Sequence, residues 1–210
     1  MDIEKGKTYV IEINGMNHEG QGVGRYNGFT VFVDGALKGE KVEVQISELK
    51  KSYAVGKLLN IIEVSKDRIE PTCPGYERCG GCSFQHMNYK GQLEFKTDIV
   101  RESLKRIGKL EDVQVHPVVG MDNPFNYRNK VQFPVGMSEG IPVMGFYARR
   151  THEIVDNSDC GIQDPDSSKV RKIVLDFIKE YKISVYDEKT GKGLLRHVMV
   201  RKGFKTGEIM

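Results

Sequence analysis

Three cysteines within ten residues constrain this chain more than any other feature: Cys73-x5-Cys79-x2-Cys82, with a fourth, Cys160, far downstream. So close a set cannot easily be three separate core residues. Thiolates bind soft metals, and Cys-x-x-Cys lets two sulfurs reach one centre. Pro74, Gly75, Gly80 and Gly81 allow the backbone to wrap closely around such a centre. Four thiolates suit tetrahedral zinc or an iron–sulfur cluster. Structural zinc sites usually pair two short-spaced knuckles. Here a group of three is closed by one remote cysteine, an arrangement that iron–sulfur proteins often use. The spacing therefore favours a cluster and leaves zinc and unrelated thiols open. His86 lies just past the motif. With four cysteines available, it is expected to be a hydrogen-bonded structural residue rather than a ligand.

Redox compartment bears on how those thiols are read. No apolar run approaches the roughly 20 residues of a membrane helix. The start, Met1-Asp2-Ile3-Glu4-Lys5, is polar and acidic rather than a basic lead into an apolar signal core. A cytoplasmic protein without a membrane partner is expected, and there four cysteines are more often free, metal-bound or catalytic than disulfide-bonded. The net charge of +3 over 210 residues is too mild to demonstrate a nucleic-acid partner. Its distribution says more: Lys/Arg and Asp/Glu balance at 9 and 9 over residues 1–66 and at 8 and 8 over 67–120, then stand at 15 and 12 over 121–210. A local basic patch in the last part could meet phosphate, although a mixed-charge solvated surface is the commoner arrangement.

Residues 1–64 alternate apolar and polar side chains in Thr8–Ile13, Phe29–Val33 and Lys41–Ile46, with a further β-rich run from Tyr53 to Val64. Glycines punctuate these runs, and Asn27-Gly28 is a hairpin signal between Val23–Tyr26 and Phe29. Short strands with Gly-rich turns predict a small closed barrel of a kind that often binds nucleic acid. Residues 90–107 read as an amphipathic helix with Leu93, Val100, Leu104 and Ile107 on its apolar stripe and Gly108 as its stop. Residues 113–160 return to β character, with Val131–Val135 and Met144–Tyr147 expected as paired strands. Asp164 and Pro165 predict the start of a second helix, with Val170, Ile173, Val174, Phe177, Ile178 and Tyr181 on its apolar side. Leu194–Arg201 reads as a final strand. The fold class is thus mixed β and α+β, divided into a barrel at 1–64 and an α+β domain at 65–210. The chain stops just after that strand, which reads as a protein cut short.

The run Cys73-Pro-Gly-Tyr-Glu-Arg-Cys79-Gly-Gly-Cys82-Ser-Phe-Gln85-His86 resembles the cluster motif of the RNA uracil-5-methyltransferase family, whose members act on 23S ribosomal RNA or transfer RNA. The N-terminal β unit resembles the TRAM domain, an OB-like barrel, of the 23S enzymes. Tyr127-Arg128-Asn129-Lys130 and Leu194-Leu195-Arg196-His197-Val198-Met199-Val200-Arg201 resemble the family's central-domain motifs. The resemblance implies a [4Fe–4S] cluster with Cys160 as fourth ligand, and RNA as partner, with the TRAM-like start favouring 23S rRNA. No obligate protein partner is inferred.

Candidate RNA contacts follow. Arg128, Lys130 and Gln132 would share one face if they lie on one strand, presenting groups that suit phosphate and base edges. The residues alone weigh this equally against an ordinary solvent face, and the resemblance tips it toward RNA. Arg196, His197 and Arg201 pose the same choice, with Arg196 and His197 on opposite faces of a regular strand. Arg149-Arg150 reads as a surface pair. In the barrel, Arg25, Lys38, Lys50, Lys51 and Tyr53 are candidate backbone contacts, each weak alone.

The resemblance implies covalent chemistry: a cysteine thiolate adds to C6 of uracil, C5 takes the methyl group of S-adenosylmethionine, and a carboxylate removes the C5 proton. Such a nucleophile must be a free, activated thiol. All four cysteines are assigned to the cluster, and no Gly-rich strand–turn–helix is present to hold S-adenosylmethionine. Residues 1–210 are therefore expected to carry no catalytic residue and to transfer no methyl group, the activity and that cofactor belonging to the full-length enzyme. Two other classes compete: a stand-alone zinc-containing RNA-binding module, and an electron-transfer protein. The second is weakened by the RNA-type barrel and the lack of a flavin or partner motif.

Overall fold

Period-two alternation builds the first structured unit directly. The computed structural model describes residues 3–210, so Met1 and Asp2 of the polar start lie outside it. The chain forms two units, one comprising Met1–Glu70 and Ser83–Val119, the other Pro71–Cys82 and Gly120–Met210. In the first, β1 (Thr8–Met16), β2 (Gly22–Tyr26), β3 (Phe29–Val33), β4 (Lys41–Leu49) and β5 (Tyr53–Glu63) close into a barrel in the order β1-β2-β3-β5-β4. All pairs are antiparallel except β3 with β5. Alternate residues point inward: Ile11 and Ile13, Val31 and Val33, Val42, Val44 and Ile46, and Ala54 are all buried. Each buried Val or Ile contributes roughly 1.5–3 kcal/mol relative to an exposed one. The turn between β2 and β3 uses Asn27 (φ 47°) and Gly28 (φ 82°), both left-handed as a tight hairpin requires. Gly56 leaves no room for a side chain, because a Cβ there would lie 2.0 Å from Cγ1 of Val44.

One ion pair anchors this unit beside the barrel. Arg68 meets Glu40 through Nε–Oε1 at 2.5 Å and Nη2–Oε2 at 2.9 Å, and also donates to the Gly35 carbonyl. The N–H groups of Leu37 and Ser65 donate to the same carboxylate. Burial pushes the Glu40 carboxyl up, but Arg68 and the two N–H groups outweigh it and hold the group below its ordinary value. Helix α1 (Tyr89–Arg106) starts on Asn88, whose side chain accepts from the Gly91 N–H. Its buried residues are Gly91 and Thr97, whereas Val100 and Ile107 are exposed. Of the predicted apolar stripe only Leu93 and Leu104 are half-buried. Thr97 is buried because its hydroxyl donates to the Leu93 carbonyl and accepts from the Val118 N–H. The left-handed residue after the helix is Lys109 (φ 56°), not Gly108.

The second unit is α+β. Strands β6 (Lys130–Ser138), β7 (Ile141–Met144) and β10 (His197–Arg201) form a sheet in the order β10-β6-β7. Helix α2 (Pro165–Glu180) packs with it around Val131, Phe133, Val135, Met144, Leu175, Ile178 and Val200. Asp164 caps α2 as expected, accepting from the Asp166 N–H, with Pro165 in the first turn. The buried stripe of α2 is Ser167, Arg171, Leu175 and Ile178. Ile173, Phe177 and Tyr181, expected inside, are exposed. Arg171 can be buried because its Nε donates to the Met144 carbonyl and its Nη2 pairs with Asp156. The run Met144–Tyr147 is not one strand. Met144 ends β7 opposite Val135, while β8 (Phe146–Tyr147) pairs with β9 (Ile154–Val155). The switch occurs at Gly145, where a Cβ would lie 2.0 Å from the Val155 carbonyl oxygen. Among the described residues, no helix is long and apolar enough to cross a membrane.

Candidate functional site

All four cysteines fall in the second unit, and each is a free thiol. Residues 73–79 form one tight turn, with N–H groups of Tyr76 and Cys79 donating to the carbonyls of Cys73 and Gly75. The end of the turn is sewn to β8: Cys79 bridges Ala148, the Gly80 N–H donates to the Tyr147 carbonyl, and the Arg149 N–H to the Arg78 carbonyl. A Cβ at Gly80 would stand 3.1 Å from that Tyr147 oxygen, so the close approach depends on the glycine. Arg149 then folds over the loop. Its Nη2 donates to the Cys82 carbonyl at 2.9 Å, and its guanidinium lies 5.9 Å from the Tyr76 ring centre. The neighbouring Arg78 pairs with Glu153.

The sulfur atoms have N–H donors of their own. Asn157 Nδ2 donates to Cys73 Sγ at 3.3 Å, and the Gly81 N–H to Cys79 Sγ at 3.4 Å. The Ile162 and Gln163 N–H groups serve Cys160. Burial pushes the Cys79 and Cys160 thiols up, while these N–H groups pull the other way. Cys73 and Cys82 add a smaller upward push on both. Among the described residues, however, no group of three or more His, Cys, Asp or Glu side chains is drawn together as a metal-ion site. What fits a metal or cluster is the chemistry of the donor set: four thiols, three of them with N–H donors, as metal-bound sulfur anions take. His86 belongs to the other unit and is buried, with its carbonyl accepting from the Ile69 N–H.

The Cys160 loop is also tied to the predicted basic motif. The Asn126 and Arg128 N–H groups donate to the Gly161 and Ile162 carbonyls, and Arg128 bridges Gln163 in parallel. Arg128 therefore lies in a different ladder from β6, which begins at Lys130, and does not share the strand face of Lys130 and Gln132 as expected. On β6 those two are exposed while Val131 and Phe133 are buried. Register sets Arg201 opposite Lys130, Met199 opposite Gln132 and His197 opposite Pro134. His197 thus shares that face, half-buried opposite the buried Pro134. Arg196 precedes β10 and is engaged elsewhere: it pairs with Glu188 at 3.1 Å and covers Tyr186 at 5.0 Å. Glu188 also meets His152, whose ring stacks on Tyr147. In the barrel unit, Arg25 and Lys51 are exposed, Lys50 pairs with Glu48, Lys38 with Asp98, and Tyr53 packs edge-on to Phe32.

The TRAM domain family model matches residues 3–59. An uncharacterized RNA methyltransferase of Clostridium tetani is 51% identical over 208 residues, covering 99% of this chain and 45% of that protein. One from Clostridium acetobutylicum is 49% identical over 210 residues, covering 99% and 46%. The crystal structure of Pyrococcus abyssi tRNA (uracil-54, C5)-methyltransferase with S-adenosyl-L-homocysteine superposes with a TM-score of 0.67 at 30% identity, over 95% of this chain and 44% of that one. The chain belongs to the RNA uracil-5-methyltransferase family. It spans less than half the length of the curated family relatives it matches.

Asn157 and Arg149 touch the cysteine loop, and the sequence singled out neither for it. Asn157 had no motif around it. The Arg149-Arg150 pair was read as surface and both residues are exposed, Arg149 reaching the Cys82 carbonyl from there.

Proposed function

We propose that this chain is the TRAM and RNA-positioning portion of an S-adenosylmethionine-dependent RNA uracil-5-methyltransferase, with Cys73, Cys79, Cys82 and Cys160 holding a [4Fe–4S] cluster and 23S rRNA as substrate. Near-complete coverage of the chain by RNA methyltransferases at about half identity carries the reading. The open basic face of β6 and β10 supports RNA contact through Lys130, Gln132 and His197, with Arg128 and Arg196 beside it and Arg25, Lys50 and Lys51 contributing from the barrel. The cluster would be a structural clip. The protein's part is to orient the sulfurs, through Asn157 and the N–H groups of Gly81, Ile162 and Gln163, and to close the loop with Arg149. Residues 1–210 bind RNA without turning it over, because each cysteine has a place in the clip. S-adenosylmethionine acts only in the full-length enzyme, in the cytoplasm.

A transfer RNA substrate is the second reading, favoured by the solved neighbour, whose own substrate is a tRNA. Competition binding with a 23S rRNA fragment and a tRNA transcript, at several salt concentrations, separates the two. Tighter, salt-sensitive binding of the 23S fragment is expected. Preference for the tRNA replaces the substrate, and methyl transfer by the isolated chain overturns the division of labour.

A further inference from the structure

We infer that Lys130 and Arg201, facing one another across β6 and β10, form a two-cation site for a phosphate of the RNA backbone. This deepens the RNA reading above and rests on it. The register pairs their Cα atoms directly, and both side chains are exposed. Directly opposed cross-strand residues lie about 4.5–5.5 Å apart at Cβ, and like charges there destabilise a sheet. Several other cations of this unit have acidic partners. Lys202, next in sequence, meets Asp164 at 3.0 Å and Asp166 at 2.6 Å. Arg196 has Glu188, Arg171 has Asp156 and Arg78 has Glu153. Among the described residues, neither Lys130 nor Arg201 takes part in an ion pair. Two like charges set directly opposite one another, on the side of the sheet away from its core, suit an anion between them.

The flanking positions say which anion. The next paired row on the same face is Gln132 with Met199, and the one after is Pro134 with His197. An exposed amide and thioether next to the cation pair, with a half-buried imidazole beyond them, suit the sugar and base that follow a phosphate. Arg supplies a planar fork for two phosphate oxygens and Lys a point charge, so the two are complementary on one group.

The test uses the whole chain and a uridine-rich RNA hairpin, with affinity measured by fluorescence anisotropy against KCl concentration. Lys130→Gln and Arg201→Gln are each expected to weaken binding and to reduce the slope of log affinity against log salt by about one. The double variant is expected to lose little beyond the Arg201→Gln variant, since both cations serve one phosphate. Without RNA, each single variant is expected to unfold at a temperature no lower than the wild type, which separates lost binding from lost fold. Unchanged affinity and slope in both variants, with the wild type still binding, overturn the phosphate site and leave the RNA reading standing. Absence of salt-dependent binding by the wild type overturns both.

Discussion

Glu40 shows how much one side chain carries in the barrel unit. Its carboxylate is fully buried and takes Arg68 together with two backbone N–H groups. Removing one partner of a buried pair strands the other, so Glu40→Gln is expected to cost roughly 3 kcal/mol at neutral pH. The folded carboxyl is held below its ordinary value of 4.5. Its contribution is therefore complete above about pH 4.5 and is lost as the pH falls through the folded value. Urea unfolding at pH 7 and pH 3 checks this: the gap between wild type and Glu40→Gln should narrow in acid. An equal gap at both pH values contradicts the assignment. In the other unit, Lys169 and Lys202 hold Asp166 down to about 2, which keeps the first turn of α2 anchored to the residue after β10. Asn157 does comparable local work at Cys73, accepting from the Asp159 N–H with its other amide atom.

Elements differ in how far their residues announce them. The barrel strands were legible because inward and outward side chains alternate over Phe29–Val33 and Lys41–Ile46 and in the first half of β5, and because Asn27-Gly28 makes the hairpin that its sequence signals. Gly56 is the tightest point of that design. Gly56→Ala is expected to cost about 1–3 kcal/mol by overpacking against Val44. Combined with Val44→Ala, it should cost less than the sum, as a double-mutant cycle by chemical denaturation will show; strict additivity would mean that the methyl group finds space elsewhere. The helices were legible in position and cap but not in face. Arg171 takes a core position because its partners, Met144 and Asp156, come from other elements. Thr97 does so through Val118, 21 residues on. Such long-range partners leave no periodic trace. The break at Gly145 was hidden for the same reason, since Val155 supplies the obstruction.

At the scale of the whole molecule, the second unit is discontinuous: the chain leaves it after Cys82 and re-enters at Gly120. Cys160 stands 77 residues beyond Cys82, counting residues 83 through 159. The cysteine spacing drew attention to the loop, whereas the groups that touch it did not show, because Arg149, Asn157 and the Tyr147 carbonyl, which accepts from the Gly80 N–H, meet it only through the fold. The proposed clip from residue 160 to the 73–82 loop would close a long loop and stabilise accordingly. Cys160→Ser is expected to lower solubility and the unfolding temperature together, read by circular dichroism. A fully folded variant that still binds RNA contradicts the structural role.

Iron, acid-labile sulfide and zinc, measured together on the anaerobically purified chain, test the central claim most directly. A brown protein with about four irons and four sulfides per chain and no zinc is the predicted result. A colourless protein containing zinc without sulfide, or one without metal whose four thiols all react with an alkylating agent, would contradict it.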